Sequence, residues 1–525
     1  MGEATSEAKK SYARRFARGS TIVFTALVVS AVVGFLLRVF LARTLGDAGY
    51  GLFIAVFMFV SMFGAFRDLG VGQAVVRSIP KFVAQKQFNQ IKSTMTTLML
   101  VQVLFSLFVA FILIAFSDQI ALTVFGTLEA SLVIKVLSGW FLFQAIFYTF
   151  KTTFRALQDI VPFSLLGFFE IFLPFVFVFP LLWILGFNVA NVALAYLAGL
   201  GGTVLIASGL FIKRHANVIK AKLEISKGLL KELFTFALPV LIGALAGVII
   251  GYMGTLVLAM FRSLPEVGFY QVAYPVANLL LYFPAAMGAV LFPMISELWA
   301  KRKHELIGEA MHTLIKFSFI FIIPAALIII TFPGVVISTL FGSEYLAASV
   351  ALQILALAAI VQTLYTISNR VILGIGKPAI ITVVVVIMGC SNFALNLILI
   401  LPYGIEGAAV ATFLSMLVGL SLSLNFARKY VKFKIPSSHL IKALIGGLLT
   451  LLMVSGLKLI INLPPLLELF VVMIPSLLFY GAWILLTRAL TWDDLLLLKN
   501  TMPIPKWLLR VARKFIGIKR LSDQG

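Results

Sequence analysis

The stretch from Leu41 to Phe82 reads LARTLGDAGYGLFIAVFMFVSMFGAFRDLGVGQAVVRSIPKF and indicates the fold of the whole chain. It contains an apolar run that reaches the roughly 20 residues a helix needs to cross the hydrocarbon core of a membrane. A glycine-rich segment precedes this run, Arg67 and Asp68 lie inside it, and basic residues follow it. We interpret the stretch as a membrane-spanning helix with a hinge at one end and a charged pair within the membrane.

A weaker copy of this stretch occurs in the second half of the chain, from Leu258 to Lys303. Gly49 and Gly268 occupy matching places in the two copies, 219 residues apart. Pro162 and Pro378, which follow later in each half, are 216 residues apart. Such agreement favours a duplicated unit of about 217 residues over a chance likeness between apolar helices. Two similar halves around a central site are the usual plan of a secondary transporter.

The composition excludes an ordinary soluble protein. Of the 525 residues, 61% are hydrophobic and only 12% are charged, and the mean hydropathy is +1.09. Soluble globular chains carry about 25% charged residues. We therefore predict an all-α polytopic membrane protein with about 14 transmembrane helices, arranged as two six-helix pseudo-symmetric lobes plus two C-terminal helices.

The predicted spans follow the apolar runs between polar, glycine or proline breaks. They lie at about 20–42, 50–76, 95–116, 131–154, 161–184, 188–212, 236–260, 267–298, 310–332, 347–373, 379–401, 405–427, 443–462 and 466–488. The domains that follow are an N-terminal segment 1–19, an N-lobe 20–212, a basic linker 213–235, a C-lobe 236–427, a second basic linker 428–442, a helix pair 443–488 and a basic tail 489–525.

The distribution of charge predicts the topology and excludes several classes of partner. The net charge of +22 comes from basic residues in short connections between spans, so we expect no nucleic-acid partner. Alternate connections are basic, which places both termini in the cytoplasm and the chain in the cell membrane. A single cysteine, Cys390, and four dispersed histidines offer neither a disulfide framework nor a metal site. We expect no metal or other cofactor, and no phosphate-binding loop for ATP occurs.

Charged residues inside a membrane span are costly and are functional by default. Glu170 lies near the middle of the fifth span, where it either lines a cavity and couples transport to an ion, or forms a buried structural pair. Arg67 and Asp68 lie in the second span and point about 100° apart on a helix, so each needs its own partner. Lining a cavity and locking two helices together are equally consistent with this pair.

Three arginines form a second group of candidates. Arg38 lies near one end of the first span, and Arg43 and Arg262 occupy corresponding ends of the two repeats. Arg38 either reaches the lipid headgroups or joins the other two in a cationic cluster at the outer mouth. A guanidinium group suits phosphate because it offers a planar, bidentate fork. Lys316, near the inner end of the ninth span, is better explained by contact with the membrane surface than by contact with a substrate.

Three motifs carry a resemblance to a known family. They are RVFLARTLGDAGYGLF from Arg38 to Phe53, DLGVGQAVVRSIP from Asp68 to Pro80, and FRALQDIVPF from Phe154 to Phe163. Together they resemble the polysaccharide transporter family of the multidrug/oligosaccharidyl-lipid/polysaccharide (MOP) exporter superfamily, which includes O-antigen flippases. The resemblance covers essentially the whole chain. It implies a cavity that opens alternately to each side of the membrane and holds the pyrophosphate of a lipid-linked sugar with cationic residues.

The leading hypothesis is therefore a flippase for a polyprenyl-phosphate-linked oligosaccharide, with membrane lipids and a coupling ion (H⁺ or Na⁺) as its other partners. The alternative within transporters is a MATE-like exporter of small organic compounds, which would favour acidic residues in the cavity. A membrane glycosyltransferase or polymerase would need a sizeable outer loop with catalytic carboxylates, and the outer loops here are short. We therefore predict a transporter and not an enzyme. A scaffold for glycan assembly is a further alternative.

Overall fold

A computed structural model describes residues 2–68, 70–224, 227–461, 463–491 and 494 of the chain. Within this part of the chain the regular structure consists of helices only. Most of the predicted basic tail, 489–525, lies outside the described residues. The all-α prediction is confirmed.

The first half of the chain forms a series of long helices joined by short turns. They are α1 (Gly2–Met62), α2 (Gly64–Asp68), α3 (Val71–Ala84), α4 (Phe88–Ala115), α5 (Ser117–Val124), α6 (Glu129–Ala156), α7 (Ile160–Leu185), α8 (Val189–Arg214) and α9 (Ala216–Lys220).

The second half continues in the same manner, with a short 3₁₀ helix at Ser343–Ala348. Its helices are α10 (Lys227–Phe261), α11 (Leu264–Leu279), α12 (Tyr282–Ala300), α13 (His304–Thr331), α14 (Pro333–Leu340), α15 (Ser349–Gly374), α16 (Pro378–Tyr430), α17 (Ser437–Ile460) and α18 (Pro465–Leu486).

These helices account for the predicted membrane spans. Within the described residues, ten helical segments are long and apolar enough to cross a membrane. Pro378–Tyr430 contains two predicted spans, and Val23–Asp68 covers most of two others, 20–42 and 50–76. The last residues of the span 50–76 lie in the separate helix α3. Glycines with positive φ, Gly46 and Gly404, divide the helices α1 and α16 between those spans. Helix α10 and the pair α11–α12 correspond to the remaining two spans, so the prediction of about 14 agrees with the structure.

The bounds of the helices repeat along the chain. Helices α4 and α13 begin at Phe88 and His304 and are both 28 residues long, with starting points 216 positions apart. The turns before them contain Lys86 and Arg302, two non-glycine residues with φ of 54° and 55° that are also 216 positions apart. Such backbone values are uncommon for residues with a side chain. Their recurrence at the predicted offset supports the duplicated unit.

The second span of each repeat is interrupted at the same place. Helix α1 ends at Met62 and helix α11 ends at Leu279, 217 positions apart. In the first repeat a further break follows at Gly70, whose φ of 74° suits glycine. The short helix α2 with Arg67 therefore lies between two breaks. Interrupted helices are a common way to build a binding site within a membrane protein.

Two glycines, one in each repeat, lie against the backbone of the other repeat. A Cβ atom on Gly51 would lie 1.9 Å from the carbonyl oxygen of Leu264, and one on Gly268 would lie 2.4 Å from the carbonyl oxygen of Asp47. Gly51 and Gly268 are 217 positions apart, as are Asp47 and Leu264. The contact is therefore reciprocal, and it makes Gly51, rather than Gly49, the counterpart of Gly268.

The helices group into two compact units. The first contains residues 1–271 and 392–407, and in it α7 packs on α1 and α8 while α6 packs on α4 and α8. The second contains residues 272–391 and 408–525, with an aliphatic core formed by α12, α13 and α15 around Ile307, Met311 and Val371. The six-helix lobe boundaries stay a prediction.

Candidate functional site

The first unit contains a cavity of about 680 Å³, lined by residues of α1, α2, α6, α7, α8 and α10. Three of the six residues predicted from the sequence lie in its wall, namely Arg38, Arg67 and Glu170. They are distant in sequence, and the packing of α1, α2 and α7 brings them together. This cavity is the candidate functional site.

Arg67 is the most deeply buried charge in the cavity, with only 7% of its surface exposed. Its guanidinium carbon lies 5.0 Å from the centre of the Phe141 ring and 5.8 Å from that of Tyr148, and Nη1 donates a hydrogen bond of 3.4 Å to the Phe141 carbonyl. Its Nε is buried without a hydrogen-bond partner among the described residues. A buried donor that lacks a partner is costly, so an anion in the cavity would complete the environment of this side chain.

Arg38 provides a second cation in the same wall. It is half-buried in α1, and its charge interacts with the side chains of Tyr50 and Tyr196. Neither Arg38 nor Arg67 forms an ion pair with a described carboxylate, since neither occurs among the pairs found there. Because Arg38 lies in the cavity wall, the structure favours a role of Arg38 in the cavity over contact with the lipid headgroups.

Glu170 has two neutralising partners. Its Oε2 accepts a hydrogen bond of 2.6 Å from Lys151 Nζ, and its Oε1 accepts one of 3.2 Å from Gln144. The side chains of Lys151 and Glu170 are 27% and 29% exposed, so this ion pair is only partly shielded. Glu170 therefore forms an ion pair and also lines the cavity, while its role in ion coupling stays a prediction. Since Lys151 offsets Glu170, the two arginines leave the cavity wall cationic.

The other predicted residues lie outside the cavity wall. Asp68 accepts hydrogen bonds of 3.1 Å from the backbone N–H of Gly72 and from Gln102, so it caps α3 and ties it to α4. Arg43 is exposed. Arg262 donates to Glu266 at 3.1 Å and to the carbonyl of Leu401 at 3.4 Å. The structure thus gives Arg262 a local partner and separates the roles of Arg38 and Arg262.

The remaining wall of the cavity is mainly aromatic. The ring of Phe57 lies 4.9 Å from that of Trp140 and 5.5 Å from that of Tyr196, and the ring of Phe53 lies 5.1 Å from that of Tyr196. Tyr252 of α10 completes this side. Aromatic faces present a large apolar area with a polar edge, which suits a bulky ligand with both characters.

Sequence reasoning missed Lys151, a lysine near the end of the predicted span 131–154 that resembles a topology signal. Helix α6 continues to Ala156, so Lys151 lies five residues inside it, while Glu170 lies ten residues inside α7, which begins at Ile160. In an antiparallel hairpin at 1.5 Å per residue, these positions differ in depth by roughly 7 Å. A lysine side chain spans most of that distance, so hairpin geometry could have found the pair.

No group of three or more histidine, cysteine or acidic side chains occurs within the described ranges in an arrangement that could hold a metal ion.

Comparison with known proteins decides the family. The model of the family described as "Polysaccharide biosynthesis protein" matches residues 16–299, which is more than half of the chain. The chain belongs to this polysaccharide biosynthesis family. A second model, MatE, matches residues 234–399. Both belong with the MOP superfamily predicted from the sequence motifs, so that prediction is confirmed, and with it the prediction of a transporter and not an enzyme.

Individual relatives agree with this membership. This chain is 30% identical over 491 residues to an uncharacterized membrane protein of Methanocaldococcus jannaschii. The match covers 90% of this chain and 95% of the relative. It is 29% identical over 241 residues to a probable low-salt glycan biosynthesis flippase of Haloferax volcanii, covering 46% of this chain and 51% of that protein. The alignment thus covers about half of the length of that flippase.

Solved structures show the same fold. The lipid II flippase MurJ in an inward closed conformation superposes with a TM-score of 0.73 at 17% identity, covering 91% of this chain and 100% of MurJ. At this identity the likeness concerns the fold alone. The protein is thus a multi-pass membrane protein with the fold of MOP-superfamily transporters.

Proposed function

We propose that the protein is a flippase that moves a polyprenyl-(pyro)phosphate-linked oligosaccharide from the cytoplasmic to the outer leaflet of the cell membrane by alternating access. The transported unit would serve the assembly of a surface glycan or the glycosylation of proteins. One observation carries the proposal: Arg38 and Arg67 line a cavity with a mainly aromatic wall, and neither forms an ion pair with a carboxylate of the described residues.

The chemistry of the cavity suits such a headgroup. A phosphate ester offers several oxygen acceptors in the geometry that a guanidinium fork prefers, and charge-assisted hydrogen bonds are about twice as strong as neutral ones. The Nε of Arg67 would gain an acceptor, which none of the described residues supplies. The aromatic wall formed by Phe57, Trp140 and Tyr196 would contact the sugar or the first isoprene units.

The predicted organisation fits this path. The proposal uses the N-lobe 20–212 and the C-lobe 236–427 as the two halves that alternate, and the helix pair 443–488 as an additional surface for the lipid chain. Basic residues in alternate connections support cytoplasmic termini and would attract the anionic headgroup to the inner leaflet. Flippase names among the relatives support the class of substrate.

The energy source in this proposal is an ion gradient, H⁺ or Na⁺, and Glu170 is the candidate for coupling. It is the carboxylate in the cavity wall within the described part of the chain, and its charge interacts with that of Arg67. Binding or release of a cation at Glu170 would therefore change the field at the site that holds the phosphate.

The second candidate function is a MATE-like exporter of small organic compounds, favoured by the match of residues 234–399 to the MatE model. The cavity argues against cationic compounds, because two arginines repel a positive charge. An organic anion is the kind of compound that this alternative would have to export.

The test is reconstitution of the purified protein into liposomes with a fluorescent polyprenyl-diphosphate oligosaccharide. Accessibility of the label to a membrane-impermeant quencher reports the leaflet in which it lies. We expect protein-dependent translocation that requires the diphosphate. Translocation of the neutral polyprenyl oligosaccharide at the same rate would contradict the proposed role of the arginines. Uptake of an organic anion driven by a proton gradient, without movement of the lipid, would support the exporter instead.

A further inference from the structure

The cavity contains its own competitor for the substrate. Glu170 lies in the same wall as Arg67, and the two charges interact without forming an ion pair. Asp68, next to Arg67 in the chain, acts on it more strongly, but its carboxylate already accepts hydrogen bonds from Gly72 and Gln102 and lies outside the cavity wall. A carboxylate and a phosphate oxygen are alternative partners for one guanidinium group. Any anion that binds at Arg67 must therefore do so in the presence of a carboxylate that could occupy the same donors.

Lys151 holds this carboxylate away from Arg67. Its ammonium group lies 2.6 Å from Glu170 Oε2, and the amide of Gln144 holds Oε1 at 3.2 Å. Both oxygens of Glu170 are thus engaged from α6. The ammonium also lies 5.1 Å from the centre of the Phe147 ring, and its end would lie 3.8 Å from a Cβ on Gly167. These contacts fix the position of Lys151 from two helices.

We propose that Lys151 is a positioning residue that keeps the anion site of Arg67 open by retaining Glu170 in an ion pair. This inference rests on the proposed function, because it assumes that the arginines bind an anionic headgroup. Lys151 itself is not in the cavity wall. It acts through Glu170, by neutralising its charge and fixing its direction.

The alternative is that the pair only joins α6 to α7. An ion pair that is about a quarter exposed contributes little to stability, and loss of either partner would then change stability but leave the affinity of the folded protein for anions unaltered. The two interpretations differ in what removal of Lys151 does to binding.

The test measures binding of inorganic pyrophosphate to the full chain in detergent by isothermal titration calorimetry, with thermal unfolding followed in parallel. We expect Lys151→Met to weaken binding about tenfold or more, since Glu170 becomes free to pair with Arg67. Glu170→Gln alone should bind at least as tightly as the wild type. The double variant Lys151→Met/Glu170→Gln should recover binding to within about threefold of the wild type.

A matched control lies on the same helix. Lys135 pairs with Asp118 at 3.5 Å at an exposed position outside the cavity wall. Lys135→Met removes the same charge from α6 and should leave the affinity for pyrophosphate unaltered. Lys151→Gln, which keeps a hydrogen-bond donor for Glu170, serves if Lys151→Met does not fold, and should weaken binding in the same direction.

Each outcome has one meaning. Unaltered affinity in Lys151→Met would overturn the inference, as would equal weakness of the single and double variants, which would mean that Lys151 attracts the anion directly. Failure of the wild type itself to bind pyrophosphate would count against the proposed function and not against the position of Lys151 alone.

Discussion

Arg67 in the first unit and Lys316 in the second are both cations buried in helices that are apolar enough to span a membrane, with 7% and 6% of their surfaces exposed. Their surroundings differ. Lys316 forms an ion pair with Asp494, whose carboxylate also accepts hydrogen bonds of 2.7 Å and 2.5 Å from the backbone and hydroxyl of Thr491. Arg67 has two aromatic rings, one carbonyl and a buried Nε without a partner among the described residues.

We interpret Lys316 as a structural charge, and in the proposed function Arg67 is the charge that binds a ligand. A buried charge is tolerated when an opposite charge pairs with it, as Asp494 does with Lys316, and this pair ties α13 to the segment after α18. The expectation that Lys316 reaches the membrane surface was wrong, because the side chain is buried and pairs with Asp494. Nothing in the sequence indicates this pair, since the two residues are far apart in the chain. Among the described residues Arg67 Nε has no hydrogen-bond partner, so under the proposed function we expect a ligand to bind here.

The largest expected effect is on stability at Lys316. Replacing Lys316 with Met leaves the Asp494 carboxylate buried without its ion-pair partner, which costs about 3–5 kcal/mol. Thermal unfolding of the purified protein in detergent should begin at a markedly lower temperature. The double variant Lys316→Met/Asp494→Asn should recover most of the loss, and a double variant as unstable as the single one would contradict the pairing argument.

The second effect concerns transport at Arg67. The variant Arg67→Gln should slow flipping of the diphosphate lipid about tenfold or more, because a charge-assisted hydrogen bond contributes about 1.5–3 kcal/mol. Its unfolding temperature should stay at or above that of the wild type, because the variant removes an incompletely paired buried charge. A strong loss of stability in Arg67→Gln would place this residue beside Lys316 as a structural charge.

A smaller effect is expected at Arg38, which is half-buried and therefore exerts a more screened field. Arg38→Gln should slow flipping by less than Arg67→Gln in the same liposome assay. At high salt, too, Arg38→Gln should keep a larger fraction of the wild-type rate than Arg67→Gln. Equal effects of the two variants would mean that the arginines hold the anion as one unit rather than as a strong and a weak partner.

The smallest effect is a dependence on pH. Burial alone would raise the pKa of Asp494, but hydrogen bonds from Lys316 and Thr491 outweigh it and lower the pKa below the ordinary value of 3.8. A lowered pKa in the folded state means that the carboxylate stabilises the protein above pH 3.8 and that this contribution is lost as the pH falls below it. The unfolding temperature should therefore decrease below about pH 4 in the wild type and less so in Lys316→Met/Asp494→Asn.

The fold was accessible from the sequence because hydropathy and repeat spacing are local or periodic signals. The breaks at Gly46 and Gly404 coincide with the ends of predicted spans. The interruption after Met62 lies inside the predicted span 50–76 and was not predicted, because the hydropathy stays high across it. The offset of about 217 residues was readable from glycines and prolines, although only the backbone contact of Gly51 with Leu264 identified the correct partner of Gly268.

The site was accessible only in part. Arg38, Arg67 and Glu170 were identified as costly charges, but their convergence depends on how α1, α2 and α7 pack, which no local pattern encodes. Asp68 was placed among the cavity candidates, whereas its carboxylate caps α3 through Gly72. Lys151 was missed because a lysine near the end of a span resembles a topology signal, and Asp494 was missed because it pairs across 178 positions.

The close approach of Gly51 and Gly268 to the backbone of the opposite repeat has the symmetry of a dimer interface. Gly51 contacts Leu264, and Gly268, the counterpart of Gly51, contacts Asp47, the counterpart of Leu264. A reciprocal contact of this kind is called isologous, and two identical subunits make it about a two-fold axis. Asp47, Gly51, Leu264 and Gly268 form such a contact within one polypeptide. The two repeats thus meet at this point as two identical subunits would. A side chain at either glycine would collide with the backbone of the other repeat.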